Sequence, residues 1–250
     1  MNQIDRWKAM SLFEGTGPAT PYQAALVLPV SGQLGTATGT LDEKVRSYMH
    51  ANCAYCHRPD SQLVPTAKAE VVVDGIPMNP GHRARNFAIG SDGSLYLNVG
   101  SPSNACQQKD RADGSPGKDP CAERATRAGT WRFDATKTNQ HFSSAARFAT
   151  GIRNGMGLAF GPDGKLYATQ HGRDQLHDNW KQIFPTTQYQ AENPAEELIQ
   201  VNQSDDFGWP YCYYAVDQKK LVDAPEYGGD GKKTARCADK KEPVAVFPGH

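Results

Sequence analysis

No apolar run in this sequence is long enough to cross a bilayer. The longest, "AALVLPV" at 24–30 and "VVV" at 71–73, fall far short of the ~20 residues that a spanning helix needs. The sequence therefore predicts no transmembrane helix. A charge excess is missing too. Lys plus Arg and Asp plus Glu number 27 each, so neither nucleic acid nor an anionic membrane is favoured as a partner, and small-molecule chemistry is what remains. The N-terminus, "MNQIDRWKAMSLFEG", has no apolar core of the kind a signal peptide carries. Apolar residues make up only 38% of the 250, whereas 24 Gly and 17 Pro supply about a sixth of the chain. That balance suits a loop-rich β protein better than a helical bundle.

Six cysteines are present. Cys53 and Cys56 sit two residues apart with His57 directly after them, in "ANCAYCHRPD". C-x-x-C-H is the pattern of covalent haem attachment, in which two thiols add to the porphyrin vinyl groups and the adjacent His reaches the iron. Cys106, Cys121, Cys212 and Cys237 allow three pairings, and the sequence-local one joins Cys106 to Cys121 and Cys212 to Cys237. Oxidised cysteines and an attached haem both point to a periplasmic or secreted protein. An exported protein without a leader suggests a piece of a longer chain.

Along the chain, Ile4, Trp7, Met10 and Phe13 recur at near-helical spacing, and an uncharged Gly/Pro-rich arm follows from Gly15 to Leu41. Thr40 and Glu43 form a capping box, so a helix is expected from Leu41 that delivers the C-x-x-C-H at its end. Beyond Pro59 the pattern turns to strands. "AEVVVDGIP" (69–77), "AGTWRFDATKT" (128–138) and "EELIQVNQSDDFGWP" (196–210) read as strands with polar turns. An internal repeat stands among them. "FAIGSDGSLYLNVGS" at 87 and "LAFGPDGKLYATQHG" at 158 are both strand, G-x-D-G turn, strand, offset by 158 minus 87, or 71, residues. Such units describe propeller blades, of which a closed ring needs roughly 4 to 8. Residues 61–250 supply about three by this reading, so the expected fold is mainly β: a partial propeller of about three blades with a short helical N-terminal segment.

With "GHRARNFAIGSDGSLYLNVGS", "GIRNGMGLAFGPDGKLYATQHG" and "DFGWP" together, residues 61–250 resemble the soluble sugar dehydrogenases that use pyrroloquinoline quinone (PQQ), and the L-sorbosone dehydrogenase branch most of all. The resemblance implies a six-bladed propeller with PQQ and calcium on its top face. It places His82 as the general base, since a His with a pKa near neutrality accepts a proton at working pH. Arg153 and Asn154 match the pair that contacts the quinone oxygens. Gly172 and Arg173 match the positions whose backbone carbonyls bind calcium, and His171 falls where glucose-oxidising members carry a Gln on the cofactor. Bland readings compete: Arg153 and Asn154 as caps of strand ends, Gly208-Trp209-Pro210 as a turn around a buried indole, and the Lys-rich stretch from Asp217 to Glu242 as a solvated loop. His171 and His177 are too far apart for a paired zinc site. The resemblance also implies further basic residues beyond "VAVFPGH", so weak cofactor binding, or none, and with it an inactive fragment, is expected of the chain as given.

Residues 1–60 resemble a segment of secreted bacterial c-type cytochromes, through "NQIDRWKAMSLF" and "LDEKVRSYMHANCAYCHRP". The two resemblances together imply a sugar oxidoreductase that passes electrons from PQQ to a fused haem or to an external cytochrome or quinone. The alternatives are a haem electron carrier and a non-catalytic propeller piece.

Overall fold

A computed structural model of the chain describes residues 70–249 apart from residue 79. Cys53, Cys56 and His57, the expected helices of the first 60 residues and the expected boundary at 60/61 lie outside the described residues. In chain order the strands are β1 (Val73–Asp74), β2 (Phe87–Ile89), β3 (Ser94–Val99), β4 (Gly129–Asp134), β5 (Gln140–His141), β6 (Arg147–Thr150), β7 (Asn154–Phe160), β8 (Leu166–His171), β9 (Glu196–Gln200), β10 (Cys212–Ala215), β11 (Lys220–Asp223) and β12 (Ala245–Phe247). Two short helices, α1 (Leu176–Asn179) and α2 (Thr187–Glu192), lie between β8 and β9. The protein is mainly β, as its composition implies.

Two four-stranded antiparallel sheets organise the chain, in the orders β2-β3-β4-β6 and β7-β8-β9-β12. β10 and β11 form a separate hairpin, and β1 pairs only with β5. The sequence repeat is a structural repeat in the same register: Phe87 faces Leu97 across β2 and β3, and Leu158 faces Ala168 across β7 and β8. The turn chemistry fixes that register. Asp92 accepts from Ser94 N at 3.0 Å and Asp163 from Lys165 N at 3.1 Å. Gly93 and Gly164 hold φ values of +78° and +75°, the left-handed region that glycine enters without a Cβ clash. The strand expected over 69–77 is reduced to the two residues of β1, because its only ladder partner is the two-residue β5.

The cores follow the period-2 alternation. Tyr96, Ile152, Leu166, Ala168 and Ile199 pack in one buried cluster that joins the two sheets, and Leu97, Val99, Trp131, Phe133 and Phe142 form another. Tyr96 and Leu97 thus serve opposite faces of β3. A side chain such as Ile199, fully removed from water, contributes about 1.5–3 kcal/mol of hydrophobic stabilisation. A third cluster joins Leu176 of α1 and Phe184 to Tyr213, Ala215 and Val222 of the hairpin.

The disulfides are the sequence-local pair, Cys106–Cys121 and Cys212–Cys237. The first closes the long insertion between β3 and β4. The stretch 217–242 is not simply a solvated loop: Leu221, Val222, Ala224 and Glu226 within it are buried. The Trp209 indole is buried, as expected, and donates to Asn104 O at 2.9 Å.

Candidate functional site

The C-terminal end of β3 is where the expected site residues begin to meet. His82 N donates to Ser101 O at 3.0 Å, and Ser101 N donates to Arg153 O at 2.7 Å. One residue therefore fastens both backbones. Gly100 permits this approach, because a Cβ there would stand 2.7 Å from His82 Cβ and 3.2 Å from Arg153 O. His82 Nδ1 lies 3.0 Å from both the carbonyl and the hydroxyl oxygen of Ser101. The carbonyl only accepts, which assigns the proton to Nδ1 and leaves a lone pair on Nε2. Nε2 makes no hydrogen bond among the described residues. Burial first, and then the Arg153 charge, push the His82 pKa down to about 4. The expectation of a near-neutral value is thereby corrected: the imidazole is uncharged throughout the ordinary working range.

Arg153 is 3% exposed, and its guanidinium is held from several sides. Nε donates to Asn104 O at 3.1 Å, Nη2 to Asn104 Oδ1 and Asp174 Oδ2 at 2.9 Å each, and Nη1 to the Gly172 carbonyl. Four of its five N–H groups are used, leaving one on Nη1. Burial lowers the Arg153 pKa to about 10, opposed by Asp174, so the charge persists at neutral pH. Asp174 also pairs with Arg111 at 2.6 Å.

The strand pairing of β7 and β8 sets Asn154 opposite His171. Asn154 is half-buried, and its side-chain amide makes no hydrogen bond among the described residues. His171 Nδ1 lies 2.6 Å from Glu196 Oε2. Gly172 packs so closely on Pro194 that a Cβ would come within 2.4 Å of its ring. Arg173 enters a buried ion pair with Glu226, which also accepts from Trp180 Nε1 at 2.9 Å. Arg153, His171, Gly172 and Arg173 line one cleft. His82 is not in its wall and joins the group through Ser101.

Asn104, Gln170, Asp174, Glu197 and Glu226 complete the arrangement and were not singled out by the sequence. Asn104 is buried and bridges Arg153 to Asp174, whose N donates to Asn104 Oδ1 at 2.9 Å. Gln170 accepts from Arg153 N at 3.0 Å and donates to Glu197 Oε2 at 2.7 Å. Desolvation raises the Glu197 carboxyl to about 7. Only the position of Asp174, directly after Gly172 and Arg173, offered a signal for any of these.

The sequence matches the TrAA12-like family over residues 46–248. The chain belongs to the TrAA12-like family. The matched stretch begins at residue 46, ahead of Cys53, and so includes the C-x-x-C-H. Among solved structures, this TrAA12-like chain is similar in fold to a family AA12 carbohydrate-active enzyme of Trichoderma reesei, at 17% identity and a TM-score of 0.51, covering 72% of this chain and 46% of that one. It is also similar to the holo form of the pyranose dehydrogenase PQQ domain of Coprinopsis cinerea, at 20% identity and a TM-score of 0.52, with coverages of 72% and 46%. The chain thus spans less than half the length of either. No curated protein matches the sequence.

Proposed function

We propose that this TrAA12-like chain carries part of a PQQ-dependent sugar dehydrogenase, oxidising an aldose or sorbosone-like sugar. One observation carries the reading: His82, with an unbonded Nε2, and Arg153, a buried guanidinium with one N–H to spare, are fastened to the same residue, Ser101. A spare cationic donor and the unbonded Asn154 amide suit the oxygens of an anionic quinone. PQQ, when bound, would supply an electrophilic carbonyl as the acceptor of a hydride from the sugar carbon. His82 Nε2 takes the proton of the sugar hydroxyl, and its bond to Ser101 holds the tautomer that can do so. Arg153 offsets negative charge on the quinone oxygens, with Asn104 and Asp174 fixing its plane. Asn154 and His171, opposite one another, would help to hold the cofactor.

The same reading gives calcium to the Gly172 and Arg173 carbonyls. The Arg173 carbonyl accepts no hydrogen bond among the described residues, whereas the Gly172 carbonyl already serves Arg153. Metal and guanidinium compete for one oxygen. The two sheets and the hairpin are read as blades of an incomplete propeller over 61–250. Residues 1–60 are read as a cytochrome-like electron acceptor, with haem on Cys53 and Cys56 and His57 on the iron; an external cytochrome or quinone is the other acceptor.

No helix among the described residues is long and apolar enough to cross a membrane. The two disulfides favour an oxidising compartment and support a periplasmic or secreted location. The test is sugar-dependent dye reduction by the full chain after addition of PQQ and calcium. Activity that is lost in His82→Asn supports the reading, and turnover unchanged by that substitution contradicts it.

A further inference from the structure

We propose that a second cleft, beside the candidate site, binds a neutral sugar ring: the saccharide unit next to the one that reacts. The proposal rests on the reading of a sugar substrate given above. Arg173, Asp174, Gln175, Gln190, Asn193 and Pro194 line an open cleft of about 210 Å³, small enough to suit a single ring rather than a longer chain. It shares Arg173 and Pro194 with the cleft that holds Arg153, His171 and Gly172. The two clefts are therefore neighbours.

The chemistry of the walls selects the ligand class. The charges are compensated within the protein: Arg173 pairs with Glu226, and Asp174 with Arg153 and Arg111. Neither an anion nor a cation finds an excess of opposite charge. The valences left over belong to amides. Asn193 is 2% exposed, and its Oδ1 is fixed by Val216 N at 2.7 Å. Its Nδ2 makes no hydrogen bond among the described residues, and Asn193 lines the cleft. A buried donor without a partner requires a ligand or water acceptor. Gln175 repeats the arrangement, with Oε1 held by Arg111 Nη1 at 3.1 Å and no bond on Nε2. Gln190 is braced by Asp178, accepting from its N at 3.0 Å and donating to its carboxylate at 3.2 Å. Two amide donors whose acceptor ends are pinned, beside a carboxylate, suit hydroxyls that both donate and accept. The Pro194 ring adds an apolar surface for the C–H face of a pyranose.

The test titrates the full chain, without PQQ, with maltose, glucose and inorganic phosphate by calorimetry. Maltose is expected to bind tighter than glucose, and phosphate not to bind. The double variant Asn193→Asp, Gln175→Glu keeps both pinned acceptors and removes both donors. It should weaken maltose about tenfold, the scale of two lost hydrogen bonds. Circular dichroism checks that it folds; if it does not, Gln175→Glu alone, at a half-buried side chain, should give a smaller loss in the same direction. Maltose no tighter than glucose, preferential phosphate binding, or unchanged affinity in a folded variant would overturn the proposal. Because PQQ is left out, failed sugar oxidation does not touch this result, and failed maltose binding leaves the oxidation reading standing.

Discussion

Gln170 and Glu197 face each other across β8 and β9, and the Gln170 amide donates to the buried Glu197 carboxyl at 2.7 Å. Glu197 is held up to about 7 by desolvation, whereas His82 is pushed down to about 4 by burial and Arg153. The two act on stability in opposite directions. A carboxyl whose pKa is raised on folding binds its proton more tightly in the native state, so its contribution is lost as pH rises toward 7. An imidazole whose pKa is lowered loses stability as pH falls from its unfolded value of 6.5 toward 4. The wild-type melting temperature should therefore vary little between those values. Glu197→Gln should make it rise with pH and His82→Asn should make it fall, as measured by calorimetric melting across that window. Parallel curves for all three proteins would contradict the assignments.

Asn104 ties Arg153 to Asp174 through three side-chain hydrogen bonds, and its carbonyl accepts from Arg153 and Trp209. Asn104→Ala removes one partner each from an Arg153 N–H, the Asp174 N–H and the Asp174 carbonyl. Denaturant titration should show a loss of about 1–3 kcal/mol.

The Cys106–Cys121 bridge closes a loop of 15 residues around Asn104's neighbours. The double Cys→Ser variant should be less stable by about 3 kcal/mol in the same measurement. Retained stability would mean that the insertion is held by its polar contacts alone.

Arg153 donates to the Gly172 carbonyl, the oxygen that the proposed calcium site would also use. Calcium should therefore bind weakly to the wild-type chain and tighter to Arg153→Gln, as read with a calcium-selective electrode. Tight binding to wild type with no gain in the variant would remove the competition.

Protein matured with a c-type haem system should show a covalent haem band that is absent from a Cys53→Ala, Cys56→Ala variant. A wild-type protein without that band would leave the external acceptor as the remaining route for electrons.

What was legible in the sequence is what short-range physics encodes. The repeat at 87 and 158 announced β2–β3 and β7–β8, because alternation and a G-x-D-G turn act within a few residues. The loop-local disulfides were readable for the same reason. The partners of the site were not. Arg153 meets Asn104 across 49 residues, Arg173 meets Glu226 across 53, and Gln170 meets Glu197 across 27. No local period marks such contacts. The Lys-rich composition of 217–242 hid Leu221, Val222 and Glu226, whose burial depends on the hairpin packing over α1. The His82 pKa was likewise out of reach, since it depends on burial and on a guanidinium 71 residues away, 153 minus 82.

The central claim is the proposed reading that a sugar gives up a proton to His82 and a hydride to PQQ at a site that His82 and Arg153 form. Its most direct test is an anaerobic single-turnover experiment: the full chain is loaded with PQQ and calcium, an aldose is added, and the quinone absorbance is followed. The account predicts bleaching on sugar addition in the wild type, slowed by about two to four orders of magnitude in His82→Asn, as expected for loss of a general base. Bleaching at the same rate in both proteins, or none in a wild type shown by the same spectrum to hold PQQ, would contradict it.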